Sequence, residues 1–162
     1  PWHKDSDYWH GRLEPQDVVT VWLAIDRSTA ENGALKVIPG THHVLQVSEY
    51  DPVDPVVNVF NTEIKRRTID VDRAVTLELE PNQASLHHAR MVHGSDPNKS
   101  ELRRCGYTMR YMSTRTRLIT TGRNGGHRIF LARGKDHANN HYADPNELHR
   151  HLLAQRRGPK GH

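Results

Sequence analysis

Cysteine and long apolar runs are the two features that this sequence most clearly lacks. Cys105 is the single cysteine, so the chain cannot form an internal disulfide and fits a reducing compartment such as the cytoplasm. No run approaches the ~20 apolar residues that a membrane-spanning helix needs. The first residues, Pro1 to Asp5, have no apolar core behind a basic start, as a signal peptide would. We therefore expect no membrane partner.

A strong excess of one charge is also absent. Lysine and arginine total 23 against 19 acidic residues, which gives a formal net charge of +4. The basic residues do not cluster with aromatic residues, and their densest run is residues 150–160. A basic balance alone is a weak sign of nucleic-acid binding. A solvated basic tail is the simpler interpretation, and nucleic-acid binding through this run stays open as an alternative.

Short runs of β-branched residues with turns between them predict a mainly β fold. The segment Val18 to Ile25 is too apolar for a surface strand, and Leu102 to Met112 alternates so that Arg104 and Arg110 share a face. Several antiparallel strands are typical of a sandwich or a double-sheet jelly roll. We expect one domain, because 162 residues suffice for one core but not comfortably for two. Further strands are predicted at residues 34–38, 73–79, 84–88 and 91–93.

Three segments depart from this strand pattern. Residues 44–61 contain prolines and acids and are predicted to form a long loop with room for one short strand, and this loop is a candidate lid. Residues 114–143 show no clear pattern. Residues 144–147 supply an N-cap, a proline at the first helical position and an acid, which predicts a C-terminal helix. Its apolar stripe would consist of Leu148, Leu152 and Leu153.

His3 and Asp5 form a His-x-Asp pair, and in a strand residues i and i+2 point the same way. A third ligand would come from a segment distant in sequence, and His93 suits this because it ends a predicted strand just before a turn. Two imidazoles and one carboxylate form the facial ligand set of non-haem Fe(II) oxygenases, which leaves open positions on the metal. Chance spacing is a real alternative among 13 histidines, but only His3 is followed two residues later by an acid.

Arg104 follows His93 by eleven residues (104 − 93), so we expect it on the adjacent antiparallel strand, after one tight turn. Its planar guanidinium can pair with both oxygens of a carboxylate. A cosubstrate that chelates iron at one end and carries a carboxylate at the other would fit between the two, and 2-oxoglutarate is such a molecule. Ser95 could add a hydroxyl to the same carboxylate. The alternatives are that His93 is a turn residue and that Arg104 is a surface arginine.

Taken in order, these motifs resemble the phytanoyl-CoA dioxygenase family of Fe(II)/2-oxoglutarate-dependent oxygenases, which includes ectoine hydroxylase. The matching stretches lie between residue 2 and about residue 112 and follow the order of the family. They are Trp2 to Asp5 with Tyr8 and Trp9, Val21 to Asp26, Glu31 to Leu35, Val37 to His42, and His93 to Arg104.

The resemblance implies a double-stranded β-helix, the jelly-roll or cupin-like fold, in which His3, Asp5 and His93 are the iron ligands. It also implies that Arg104 and Ser95 bind the distal carboxylate of 2-oxoglutarate.

The same resemblance implies roles for three aromatic residues. Trp22 would line the cosubstrate pocket, with plain core packing as the alternative. Tyr8 and Trp9 follow the ligands and would face the substrate, again with packing as the alternative.

The implied activity is hydroxylation of an aliphatic C–H bond of a small molecule, using Fe(II), 2-oxoglutarate and O2 and releasing succinate and CO2. Related halogenases carry a small residue in place of the carboxylate ligand, so Asp5 favours hydroxylation. A non-catalytic small-molecule- or partner-binding domain of the same fold is the alternative. Relatives have a substantial segment before His-x-Asp. We therefore expect residues 1–162 to be the C-terminal part of the domain, with an upstream segment missing and a sheet edge and a core face uncovered.

Overall fold

A computed structural model describes residues 1–119, 127–147 and 150 of the chain. A short helix, α1 (Asp5–Tyr8), precedes ten strands in this part of the chain, and a helical turn begins at residue 145. None of the described helices has the length and apolar character to cross a bilayer. The strands are β1 (Leu13–Glu14), β2 (Val18–Ala24), β3 (Leu35–Val37), β4 (Tyr50–Pro52), β5 (Thr62–Ile64), β6 (Val75–Thr76), β7 (Ala84–His88), β8 (His93–Ser95), β9 (Gly106–Met112) and β10 (Arg117–Leu118).

Two three-stranded antiparallel sheets form the body of the fold. Their strand orders are β7-β2-β9 and β6-β3-β8. Two further antiparallel pairs, β1-β10 and β4-β5, complete the described strands. This double-sheet arrangement confirms the mainly β architecture that the sequence predicts.

The central strand β2 determines which side chains face the interior. Its run of β-branched residues favours an extended backbone, and its side chains alternate between the two faces of the sheet. Thr20 pairs with His87 on one side and with Arg110 on the other, so these three residues share a face. Trp22 lies on the same face and pairs with Ser85 and Thr108. We call this set the site face; it comprises Thr20, Trp22, Ser85, His87, Thr108 and Arg110.

The opposite face of this sheet is apolar and open. Val21 pairs with Leu86 and Met109, and Leu86 is 67% exposed. Tyr107 and Tyr111 on β9 are also exposed. In the described part of the chain, β9 has a single partner strand, β2.

A buried cluster holds the start of the chain against the second sheet. Trp2 packs with Ile38, Ile64 and Val92. Backbone hydrogen bonds join Ile64 N to Trp2 O at 2.9 Å and Ile38 N to Val92 O at 2.9 Å. Because Trp2 and Val92 each precede a candidate ligand, this cluster brings the backbones of His3 and His93 together.

Several element boundaries differ from the sequence prediction. Residues 44–61 contain one short strand, β4, as the sequence allowed, and β4 pairs with β5. The long strand predicted from residue 102 begins only at Gly106, and β8 begins at His93 rather than ending there. Asp144 accepts backbone hydrogen bonds typical of a helix start. The predicted stripe Leu148, Leu152 and Leu153, and the basic run beyond residue 150, lie outside the described residues.

Candidate metal centre and cosubstrate site

The structure brings His3, Asp5 and His93 together as a buried cluster. One potential ligand atom from each of these residues lies within 4.8 Å of the other two. The Nε2 atoms of His3 and His93 are each 3.9 Å from Oδ1 of Asp5. Two imidazole nitrogens and one carboxylate oxygen therefore converge on one point, as a facial metal site requires.

Backbone geometry explains how residues so distant in sequence meet. His3 and His93 form an isolated antiparallel bridge, with N···O distances of 2.9 and 3.0 Å between their main chains. Asp5, however, is the first residue of α1 and does not continue a strand. The prediction that His3 and Asp5 converge because both lie in one strand was therefore wrong. The chain turns into a helix after Lys4, and this turn directs the carboxylate toward the two imidazoles.

Both histidines are held in the tautomer that metal binding needs. Nδ1 of His3 lies 3.0 Å from the carbonyl oxygen of Pro1, and Nδ1 of His93 lies 2.9 Å from that of Met91. A carbonyl oxygen only accepts, so each Nδ1 carries the proton and donates it. Each Nε2 is then left with a free lone pair directed toward Asp5.

The two carboxylate oxygens of Asp5 make different contacts. Oδ1 faces the histidine nitrogens, whereas Oδ2 accepts a hydrogen bond of 3.0 Å from the hydroxyl of Thr20. Nε of Arg110 lies 3.5 Å from the same Oδ2. Thr20 and Arg110 of the site face thus hold the carboxylate through Oδ2 and leave Oδ1 available to an ion.

Protonation states also suit a cation. Burial and the neighbouring His93 lower the pKa of His3 to about 4. Burial lowers the pKa of His93 as well. Burial by itself would raise the pKa of Asp5, but His93, Arg110 and the Thr20 hydrogen bond more than offset it and lower that pKa. At neutral pH the cluster therefore presents two neutral imidazoles and one carboxylate, which are the ligand forms that bind a divalent metal. These donors fit Fe(II).

Arg104 lies against the ring of Trp22 on the site face. Its Cζ is 5.6 Å from the ring centroid, within the range of a cation–π contact. Burial lowers the pKa of Arg104, and it forms no ion pair with a described residue. A half-buried guanidinium without an acidic partner can accept the carboxylate of a ligand.

Gly106 makes this contact between Arg104 and Trp22 possible. A Cβ at position 106 would lie 2.1 Å from Cζ2 of Trp22, so the indole occupies the space that any larger residue would need. The sequence prediction did not single out Gly106. Its importance depends on the pairing of β2 with β9, which no local pattern reveals.

The route by which Arg104 reaches the site differs from the prediction. β8, which carries His93 and Ser95, pairs with β3, whereas β9 pairs with β2 in the other sheet. Arg104 therefore does not lie on a strand next to His93, and that expectation was wrong. His93 and Ser95 are two residues apart in β8, so they lie on the same face of the strand. Ser95 is exposed. A shared role for Ser95 and Arg104 toward one carboxylate stays a prediction.

A cavity of about 950 Å³ opens beside Asp5. Tyr8 and Trp9 both line it. Their contact with a substrate stays a prediction. Phe60, from the segment between β4 and β5, also lines it, and its ring centroid lies 4.8 Å from that of His3. The proposed lid segment therefore contributes a residue that packs directly on a candidate ligand.

His87 is a further buried residue at the site that sequence reasoning missed. It is 6% exposed, and its ring centroid lies 4.7 Å from that of His93. Neither of its ring nitrogens has a hydrogen-bond partner among the described residues. Burial and the neighbouring His93 lower the pKa of His87 to about 4, so the ring is neutral.

Comparison with known proteins identifies the family. Residues 1–106 match the family model described as phytanoyl-CoA dioxygenase (PhyH). The protein belongs to the phytanoyl-CoA dioxygenase family. A phytanoyl-CoA dioxygenase domain-containing protein 1 homolog from Caenorhabditis briggsae is 33% identical over 118 residues, which cover 68% of this chain and 39% of that protein. L-proline trans-4-hydroxylase from Streptomyces griseoviridis is 28% identical over 134 residues, covering 68% of this chain and 47% of the enzyme.

Solved structures agree with this assignment. EvdO2 from Micromonospora carbonacea, in complex with 2-oxoglutarate, superposes with a TM-score of 0.62 at 26% identity, covering 75% of this chain and 47% of EvdO2. The non-haem monooxygenase ThoJ gives a TM-score of 0.69 at 25% identity, covering 96% of this chain and 57% of ThoJ. These likenesses confirm the double-stranded β-helix. The chain spans less than half the length of the curated relatives named above.

Proposed function

We propose that this protein is an Fe(II)- and 2-oxoglutarate-dependent dioxygenase. It would hydroxylate an aliphatic C–H bond of a small organic molecule and release succinate and CO2. The observation that carries the proposal is the convergence of His3, Asp5 and His93, with one oxygen and two nitrogens directed at one point. Three protein ligands leave positions on the ion for a chelating cosubstrate and O2.

The residues around the ligands have separable roles in this proposal. Arg104, lying on Trp22, would bind the distal carboxylate of 2-oxoglutarate. Thr20 and Arg110 would hold Asp5 in its orientation through Oδ2. When bound, Fe(II) supplies the redox chemistry with O2 and 2-oxoglutarate. The protein contributes binding, orientation and the exclusion of competing reactions.

The open cavity beside Asp5 is the proposed substrate site. Its volume of about 950 Å³ is within the usual range for small-molecule pockets, roughly 300–1,000 Å³. The hydroxylase and oxygenase names of relatives and structural neighbours, among them L-proline trans-4-hydroxylase, support a small organic substrate. A cytoplasmic location remains part of this proposal and rests on the single cysteine alone.

The first test measures succinate formation by the full-length protein with Fe(II) and 2-oxoglutarate. Replacing Asp5 with alanine should weaken iron binding and abolish coupled succinate formation, because only two of the three protein ligands remain. Asp17→Ala is the matched control, since Asp17 is an exposed carboxylate outside the cluster. Wild-type iron uptake and turnover in Asp5→Ala would refute the ligand assignment. Tight small-molecule binding without any iron uptake by the wild type would favour the non-catalytic alternative.

The second test concerns the cosubstrate. Arg104→Gln should raise the KM for 2-oxoglutarate roughly tenfold or more, because a charge-assisted hydrogen bond is worth about 1.5–3 kcal/mol. Arg103→Gln is the matched control, because the neighbouring Arg103 is exposed and bound to Asp26 through two hydrogen bonds of 2.8 and 2.9 Å. An equal KM in the wild type and both variants would remove Arg104 from the cosubstrate site.

A further inference from the structure

Arg110 contacts the candidate ligand Asp5 and also lines the cavity. The register of β9 against β2 places it opposite Thr20, directly beside Asp5. Its Nε approaches Oδ2 of Asp5 at 3.5 Å, which is a long contact. The side chain is 47% exposed, whereas the Asp5 side chain is 6% exposed. Arg110 also lines the cavity, so its guanidinium is accessible to a ligand there.

Within the described part of the chain, the terminal nitrogens of Arg110 have no hydrogen-bond partner. A guanidinium carries five N–H donors, and the four on the terminal nitrogens make no hydrogen bond to a described residue. Cζ of Arg110 lies 5.5 Å from the ring centroid of Trp9, and this cation–π contact restrains the side chain. An oriented guanidinium with unpaired terminal N–H groups suits an oxyanion with two accessible oxygens.

The charge of the cavity agrees with an anionic ligand. Among the described residues that line it, Asp5 is the only acid. Asp5 belongs to the ligand cluster, so a bound cation would neutralise its charge. The lining also contains four arginines: Arg12, Arg110, Arg128 and Arg133. A cavity with this imbalance attracts anions and disfavours cations.

We propose that Arg110 binds an oxyanion of the substrate, so that the substrate is a small organic acid whose carboxylate or phosphoryl group lies beside the metal. The inference rests on the proposed function and adds the chemical class of the substrate. Apolar residues in the same cavity, including Leu13, Phe60 and Phe130, provide contacts for the aliphatic part of such a molecule.

Arg110 and Arg104 serve different ligands in this arrangement. Arg110 lies opposite Thr20, at Asp5 and Trp9. Arg104 lies on Trp22, two residues before the start of β9, and does not line the cavity. The two guanidiniums thus contact different residues of β2 and its surroundings, with Arg110 opposite Thr20 and Arg104 on Trp22. One position suits the cosubstrate carboxylate, and the other suits a second anion.

The test is a binding measurement without turnover. The full-length protein is loaded with Fe(II) and 2-oxoglutarate in the absence of O2, its iron content is determined, and calorimetry gives the Kd of matched probes. The probes are butanoate, hexanoate and octanoate, each paired with its neutral amide, together with hexyl phosphate. We expect at least one acid to bind roughly tenfold more tightly than its amide, as for other hydrogen bonds to charged groups. A tighter Kd for hexyl phosphate than for hexanoate identifies a phosphoryl group as the preferred anion.

Variants assign the preference to Arg110. Because Arg110 also contacts Asp5, Arg110→Gln is compared at an Fe(II) and 2-oxoglutarate loading equal to that of the wild type, where it should bind acid and amide equally. Arg110→Lys keeps the charge and should retain part of the preference, which separates loss of charge from loss of structure. Arg115→Gln, an exposed arginine outside the cavity lining, is the matched control and should behave as the wild type.

Two sets of results would overturn the inference, and a third concerns the proposed function. Equal binding of acid and amide by the wild type in all three pairs rejects an anionic subsite. Unchanged preference in the loaded Arg110→Gln variant rejects the role of Arg110 toward substrate. Failure of the wild type to bind Fe(II) and 2-oxoglutarate at all refutes the proposed function itself, and with it the inference.

Discussion

Replacing Thr20 with valine tests how far the sheet, rather than the ligands alone, determines metal affinity. Thr20 is 1% exposed, and its hydroxyl donates to Oδ2 of Asp5 at 3.0 Å. Valine keeps the branched shape and the strand propensity but removes the donor. A hydrogen bond to a charged group is worth about 1.5–3 kcal/mol, and about 1.4 kcal/mol is a tenfold change in an equilibrium constant.

We therefore expect Thr20→Val to weaken Fe(II) binding about 10- to 100-fold, the range typical of partners that orient metal ligands. The assay is anaerobic competition for Fe(II) against a chelator of known affinity. Thr116→Val is a matched control, because Thr116 is fully buried and its hydroxyl has no partner among the described residues. If Thr20→Val binds Fe(II) as tightly as the Thr116→Val control, then Thr20 does not position Asp5 and the reasoning fails.

Two further predictions concern the cosubstrate pocket and pH. Gly106→Ala should raise the KM for 2-oxoglutarate roughly tenfold or more, because the new Cβ displaces Trp22 and the Arg104 that lies on it. The iron content should change little. An unchanged KM would show that the indole does not support Arg104. The metal-free protein should lose stability as pH falls from 7 to 5, because His3 and His87 have folded-state pKa values of about 4 while the unfolded chain takes up protons near 6.5. Each histidine contributes at most about 1.4 kcal/mol per pH unit in this window. Thermal melts should therefore give a shallower pH dependence for His87→Phe, and an identical one would contradict the buried, neutral state of that ring.

The ligand triad could be predicted because its chemistry is carried by residue types in sequence order. His3 with Asp5 and the distant His93 indicate a metal site regardless of the local backbone. The argument from strand alternation was wrong for Asp5, since the chain enters α1 at that residue. The three side chains still lie together, because several backbone routes can bring them to one point. Their role as iron ligands stays a prediction.

The partners of the triad could not be predicted because they depend on non-local pairing. Arg104 and Arg110 were expected to share a face of one strand, but only the register of β9 against β2 places Arg110 beside Thr20 and Asp5. His87 reaches the same face through the pairing of β7 with β2. Nothing in the sequence near these residues indicates which strand each will meet. The sheet order likewise separates β8 from β9, which the short connection between them did not suggest.

Because His3 and His93 form a backbone bridge, a metal bound between them would also affect the stability of the fold. These residues are ninety positions apart in the chain (93 − 3), and their backbones meet through two hydrogen bonds. An ion held by His3, Asp5 and His93 would act as a cross-link that closes the loop between His3 and His93, and it would stabilise the folded chain by its full binding free energy. Asp5 is in turn tied to the other sheet through Thr20. A single ion would therefore link both sheets to the start of the chain. We then expect weaker metal retention from substitutions that let the sheets separate, even when they lie far from the metal centre.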